Sequence, residues 1–240
     1  MVKIISLQDY IVFYKLAKKR KRSNDDYIQF EYFQAGIVIN SLKKKGVQFN
    51  GKKVLDIGCG RGGYSLKLFH EGADVVSLDI ISEYFQHHQK SQFILGNAVL
   101  LPFKSESFDF VFCSSLIEHV KTPNILIKEI KRVMKKGGNC YLSFPPFWSL
   151  AGAHQFKPFH YLGEKIAIKL SRKLYGVKSY SYNDKYGKLY KRKISQIKKY
   201  ILDNNLKIRH VSTRMSSINF ARIPVLNELL TWHVEFLLEK

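Results

Sequence analysis

The sequence predicts an α/β protein, a seven-stranded, mainly parallel sheet with helices on both faces and an antiparallel last strand. Three observations lead there. From Lys53 to Phe144, short apolar runs alternate with stretches of helical periodicity, the pattern of parallel strands joined by right-handed crossovers. Val54-Leu55-Asp56-Ile57 runs straight into Gly58-Cys59-Gly60-Arg61-Gly62-Gly63, a strand with an acid near its end and a glycine-rich turn that opens a helix. Near the C-terminus, Leu206–Ser212 and His233–Leu238 read as two further strands, the second running against the others.

In order, residues 1–50 precede the core as an N-terminal helical segment, with helices over Asp9–Leu16 and Asp25–Leu42 joined by the basic run Lys18–Arg22. The core, residues 51–146, starts with a strand at Lys53–Ile57 and a helix from Gly62 to Glu71. Asp74–Asp79 is the second strand, a helix is expected over Ser82–Lys90, and Gln92–Leu95 is the third strand. Phe108–Ser114 is the fourth. Pro123 suits the first turn of a helix that runs to Lys136, where Gly137-Gly138 stops it before a fifth strand at Asn139–Phe144. Residues 147–200 read as a lid and basic insertion: Pro, Gly and aromatics without periodicity up to Gly163, a helix over Glu164–Leu174, an irregular Tyr/Lys-rich stretch, then a helix over Ile194–Asp203. Residues 201–240 complete the sheet, with a short helix at Pro224–Leu230.

The glycine turn aims backbone N–H groups and a partial positive charge at a ligand, so it reads as a nucleotide-cofactor loop. Gly58-x-Gly60-x-x-Gly63 with Asp79 downstream also fits a dinucleotide fingerprint. Asp56 argues against it, because a carboxylate beside the turn repels a pyrophosphate and attracts a cationic ligand. With its acid, Asp56-x-Gly58-x-Gly60-x-Gly62 resembles motif I of the class I S-adenosylmethionine-dependent methyltransferases, of type 11, whose fold is Rossmann-like. The resemblance runs over roughly residues 50–146. It implies S-adenosylmethionine as cofactor, with Asp56, Gly58, Cys59 and Gly60 at the donor, Asp79 on both ribose hydroxyls and Ile80 against the adenine. Gly96-Asn97-Ala98 stands where the family has Gly-Asp-Ala, so Asn97 is expected at the adenine amino group and the Ala98 N–H at a ring nitrogen. Ser114 would offer its carbonyl to the donor's amino group. The Glu118-His119 pair stands below the donor methionine, where His119 shapes the site or touches the acceptor.

Methyl transfer is an in-line displacement that mostly needs donor and acceptor held collinear, and an oxygen acceptor also loses a proton. The lid offers two histidines for that proton, His154, which follows small residues, and His160, which precedes a tyrosine. Lid aromatics such as Phe147, Trp148 and Phe156 suit a small-molecule, glycan- or lipid-linked acceptor. No His/Cys/Asp cluster has metal spacing, so no metal is expected.

Forty Lys and Arg against nineteen Asp and Glu give a net charge of +21, and residues 165–200 hold twelve of the basic residues with one acid. Such a field attracts anions, so an RNA methyltransferase using 165–200, or a protein bound at an anionic membrane surface, are the alternatives. A basic composition throughout the source organism accounts for the charge equally well. No apolar run reaches about 18 residues, no charged-then-apolar leader stands at the start, and the three cysteines are unpaired in pattern. These features fit a cytoplasmic protein, with peripheral membrane contact as an extension of that reading.

Overall fold

The computed structural model describes residues 6–86, 90–216, 218–223 and 226–240. Its strands are β1 (Lys53–Ile57), β2 (Asp74–Asp79), β3 (Gln92–Leu95), β4 (Phe108–Ser114), β5 (Met134–Phe144), β6 (Lys207–Thr213) and β7 (Val234–Glu239). They form one seven-stranded sheet in the order β3-β2-β1-β4-β5-β7-β6. The first five pair in parallel, and β7 lies antiparallel between β5 and β6. The order therefore reverses between β1 and β4, and the crevice at the C-terminal ends of those strands is where open α/β sheets take ligands.

Alternation along the strands divides the core between two layers. Leu55, Ile57, Val111 and Cys113 face helices α4 (Pro123–Val133) and α6 (Ile194–Asp203), which contribute Leu126, Ile130, Ile197 and Ile201. On the other face, Val54, Phe110, Phe112 and Tyr141 meet α2 (Asn24–Lys44) and α3 (Gly63–His70) through Val38, Ile39 and Leu68. Helix α1 (Leu7–Lys19) starts in a Ser6/Asp9 capping box and packs on α2. The lid has its own small core, in which Phe147, Phe156, Tyr182 and Leu189 pack on Ala167 and Ile168 of α5 (Glu164–Tyr175).

Two expected helices are corrected. Residues 82–86 of the stretch Ser82–Lys90 form a turn closed by Phe85 N–H on the Ser82 carbonyl, and 87–89 lie outside the described residues. The adjacent aromatics Tyr84 and Phe85 give no stripe at helical spacing; Phe85 packs on Phe93, 4.8 Å between ring centroids, while Tyr84 stays exposed. Helix α4 ends at Val133 rather than Lys136, and β5 begins at Met134 rather than Asn139. Met134 pairs with Phe108, and the register shifts before Asn139 joins Phe110. Gly138 therefore serves the bulge instead of stopping a helix: a Cβ there would lie 2.8 Å from the Lys135 carbonyl oxygen. The last short helix, α7, covers Asn227–Leu230, with Pro224 and Val225 outside the described residues.

Among the described residues no helix is long and apolar enough to cross a membrane. Residues 176–193 carry neither helix nor strand. Part of that stretch is held by Asp184, whose carboxylate accepts the backbone N–H groups of Tyr180, Ser181, Tyr186 and Gly187, and these hold its pKa at about 2.

Candidate active site

Because β1 ends beside β2, the glycine turn closes on the neighbouring strand. Gly58 and Cys59 donate to the Leu78 carbonyl at 2.7 and 3.1 Å, and Gly60 donates to Asp79 Oδ2 at 2.9 Å. Asp79 Oδ1 accepts from Ile81 N–H at 3.1 Å, so the acid at the end of β2 is oriented by backbone at both oxygens and keeps lone pairs for a further partner. Gly58 has φ +74°, and a Cβ there would press on Leu116 at 3.0 Å, which restricts the position to glycine. Asp56 is buried on the α3 side and accepts from Ser65 Oγ at 2.6 Å.

A third carboxylate joins them. Glu31 of α2 accepts from Gly63 N–H at 3.2 Å, occupying the first amide of α3. Burial raises Glu31 to about 8 and Asp56 to about 7, with Asp79 adding to both shifts. Crowded buried carboxyls around the turn suit a cationic ligand, and the helix amide on which a pyrophosphate would rest is already taken. Sequence reading passed over Glu31. The available signal was a charged residue at a core-facing position of α2, between Ile28 and Ala35 at helical spacing.

The other predicted cofactor residues lie along the same edge. Ile80 follows Asp79 with 68% of its surface exposed, an apolar side chain free to cover a ring. Asn97 Oδ1 accepts from Val99 N–H at 3.1 Å, which leaves one lone pair of that oxygen and turns the chain at Ala98. Ser114, at the end of β4, accepts at Oγ from Ser143 Oγ and from Arg214, both at 3.1 Å.

A cavity of about 680 Å³ joins Asp56, Gly58, Cys59 and Ser114 to Glu118 and His154. Phe13, Phe30 and Trp232 form an aromatic wall, and Arg20, Lys21 and Lys157 add positive charge. Its floor includes Arg214, fully buried, which donates to Glu235 Oε1 at 3.1 Å, Tyr141 Oη at 2.7 Å and Ser143 Oγ at 2.8 Å. Of the predicted residues, Gly60, Asp79, Ile80, Asn97, Ala98, His119 and His160 do not line this cavity. His160 is buried in the lid instead, its ring 5.7 Å from that of Phe147 and 3.9 Å from that of Tyr161.

His154 reaches the cavity through a tight turn. Ala153 and His154 have φ +55° and +45°, and a Cβ on Gly152 would meet the Pro146 carbonyl oxygen at 2.2 Å. Burial, His119, Lys157 and Arg20 lower the His154 pKa to about 3. Its Nε2 lies 3.8 Å from Glu118 Oε1, and its ring centroid is 5.0 Å from that of His119. The fold thus gathers Glu118, His119 and His154, a donor set whose sequence spacing gave no metal signal. Glu118 is fully buried, and burial pushes its pKa up to about 8.

Residues 55–142 match the Methyltransferase domain family (Methyltransf_11). Over 101 residues, 40% of this chain, the sequence is 37% identical to the Biotin biosynthesis bifunctional protein BioHC of Cellvibrio japonicus, covering 20% of that protein. It is 32% identical over 111 residues, 42% of this chain, to the Ubiquinone biosynthesis O-methyltransferase of Photorhabdus laumondii, covering 46% of that protein. The chain thus spans less than half the length of either relative. In fold it is similar to an S-adenosylmethionine-dependent methyltransferase from Mesorhizobium loti, with TM-score 0.59, 16% identity, and coverage of 84% of this chain and 96% of that one. It is similarly related to the magnesium protoporphyrin IX methyltransferase of Synechocystis with bound SAH, with TM-score 0.57, 18% identity, and coverage of 87% and 82%. The sequence match is thus to a methyltransferase domain over residues 55–142, and the fold around it is like that of S-adenosylmethionine-dependent methyltransferases.

Proposed function

We propose that the chain transfers the methyl group of S-adenosylmethionine to an oxygen of a small-molecule, glycan- or lipid-linked acceptor that carries an anionic group. The observation that carries this reading is the shared cavity: motif I residues Asp56, Gly58 and Cys59 stand on one side and His154 with Glu118 on another. Asp79 would hold the ribose, Ile80 and Asn97-Ala98 the adenine, and the carboxyls of Asp56 and Glu31 the positive end of the donor. The aromatic wall suits a flat or hydrocarbon acceptor body, while Arg20, Lys21 and Lys157 suit its anionic group. Bound S-adenosylmethionine supplies a methyl group activated by its sulfonium. The protein's part is to hold the acceptor in line, exclude water and take the hydroxyl proton at His154, which lines the cavity with Glu118. The Photorhabdus relative, itself named an O-methyltransferase, supports oxygen as the acceptor atom.

The test is His154→Ala assayed with labelled donor against lipid, glycan and small-molecule extracts. The expected result is a loss of turnover of 10²-fold or more, with the thermal shift given by S-adenosylhomocysteine kept. Unchanged turnover removes His154 from the reaction.

A further inference from the structure

The geometry points to a site for a divalent transition-metal cation of the Zn2+ type formed by Glu118, His119 and His154. One ligand atom from each of the three lies within 4.8 Å of the others. Two imidazoles and one carboxylate form a donor set that such cations prefer, and three protein ligands leave a position open.

The strongest observation is Glu118. Its side chain is 1% exposed, yet neither carboxylate oxygen has a hydrogen-bond partner. A buried carboxylate left this way is costly unless a positive group takes it. The two nearby guanidinium groups are committed elsewhere. Arg214 serves Glu235, Tyr141 and Ser143, while Arg192 donates to the carbonyls of Ile117, Val120 and Lys121.

His119 supplies the second. Its Nδ1 pairs with the Lys188 carbonyl, which fixes that nitrogen as the N–H and leaves the Nε2 lone pair free. Metal-bound histidines are commonly oriented in this way. The 3.8 Å between His154 Nε2 and Glu118 Oε1 is too long for a hydrogen bond. Ligands about 2 Å from a tetrahedral ion stand roughly 3.3 Å apart, so the pair needs to close by about half an ångström.

Glu118 and His154 line the cavity, so the open position faces it. With the ion bound, His154 is a ligand and not the proton acceptor: an acceptor hydroxyl would be the fourth ligand and lose its proton to solvent, and its oxygen would gain the methyl group as the donor's carbon–sulfur bond breaks, leaving the neutral thioether. That last step rests on the proposed transfer to oxygen, whereas the site stands on its three ligands.

The experiment titrates chelator-stripped full chain with Co2+ alone, following visible absorption and calorimetry. One equivalent should bind with the absorption of a low-coordinate Co2+ site. Glu118→Gln and His154→Ala should each weaken binding at least tenfold while keeping the thermal shift with S-adenosylhomocysteine, which shows that they fold. His210→Ala should bind as the parent does. No stoichiometric binding, or binding untouched by both site variants, overturns the site. Because donor and acceptor are absent, Co2+ binding by a chain that transfers no methyl group would refute the reaction and leave the site standing.

Discussion

Glu31 and Asp56 show what burial does to single residues at the glycine turn. Each is an acid in a place where water cannot solvate its charge, so each holds its proton to about pH 8 and pH 7 in the donor-free chain. A ligand bearing a sulfonium and an ammonium favours the ionised forms, so its binding should release protons and tighten as pH rises from 6 to about 8, then level off. Calorimetry in buffers of different ionisation enthalpy measures the release, and Glu31→Gln should remove the upper part of the rise. Stability moves oppositely. Folded pKa values above the unfolded ones give a contribution that is complete below the unfolded value and is lost as pH rises through about 7 to 8. The donor-free protein should therefore lose melting temperature over that window relative to Glu31→Gln. The acids at the turn and at the end of β2 were legible because both stand within a few residues of a strand end. Glu31 was not, since its role depends on α2 lying across the start of α3.

At the scale of elements, the lid turn decides where His154 points. Gly152 sits with its Cα against the carbonyls of Pro146 and Phe147, 2.2 and 2.3 Å from where a Cβ would be. Gly152→Ala should cost about 1–3 kcal/mol of stability by overpacking, read by urea denaturation. Turnover should fall more than donor affinity, because the turn carries His154 and does not touch the glycine loop. The helices and strands were mostly legible where apolar spacing was long and regular, as in α6 and β4. They failed at residues 82–86, where two adjacent aromatics mimic an apolar face, and at Gly137-Gly138, where a helix stop and a strand bulge ask for the same residue. His160 shows the same limit. A histidine beside a tyrosine in a lid reads alike whether it faces the cavity or packs on Phe147.

Across the whole molecule, Arg214 ties together segments far apart in the chain: Gln34 and Tyr64 of the α2–α3 layer, Ser114 of β4, Tyr141 and Ser143 of β5, and Glu235 of β7. Removing one partner of a buried ion pair strands the other, so Arg214→Met should cost about 3–5 kcal/mol. Arg214→Met combined with Glu235→Leu should recover much of that loss; denaturant melts of the two variants make the comparison. The surplus of positive charge is also partly structural. Arg192 is turned inward onto main-chain carbonyls and Lys191 lies 3.3 Å from Glu164, whereas Lys165, Lys169, Arg172 and Lys173 stand exposed on α5.

The sequence by itself determined the parallel core, the glycine turn and the acids at its rim, because strand ends, tight turns and first helical turns are set by residues a few positions apart. Only the tertiary structure decided which acid closes the start of α3, which histidine meets Glu118, and which arginine lies beneath the cavity. Those contacts join residues tens to hundreds of positions apart, and they exist only once helices, lid and sheet have packed and excluded water between them.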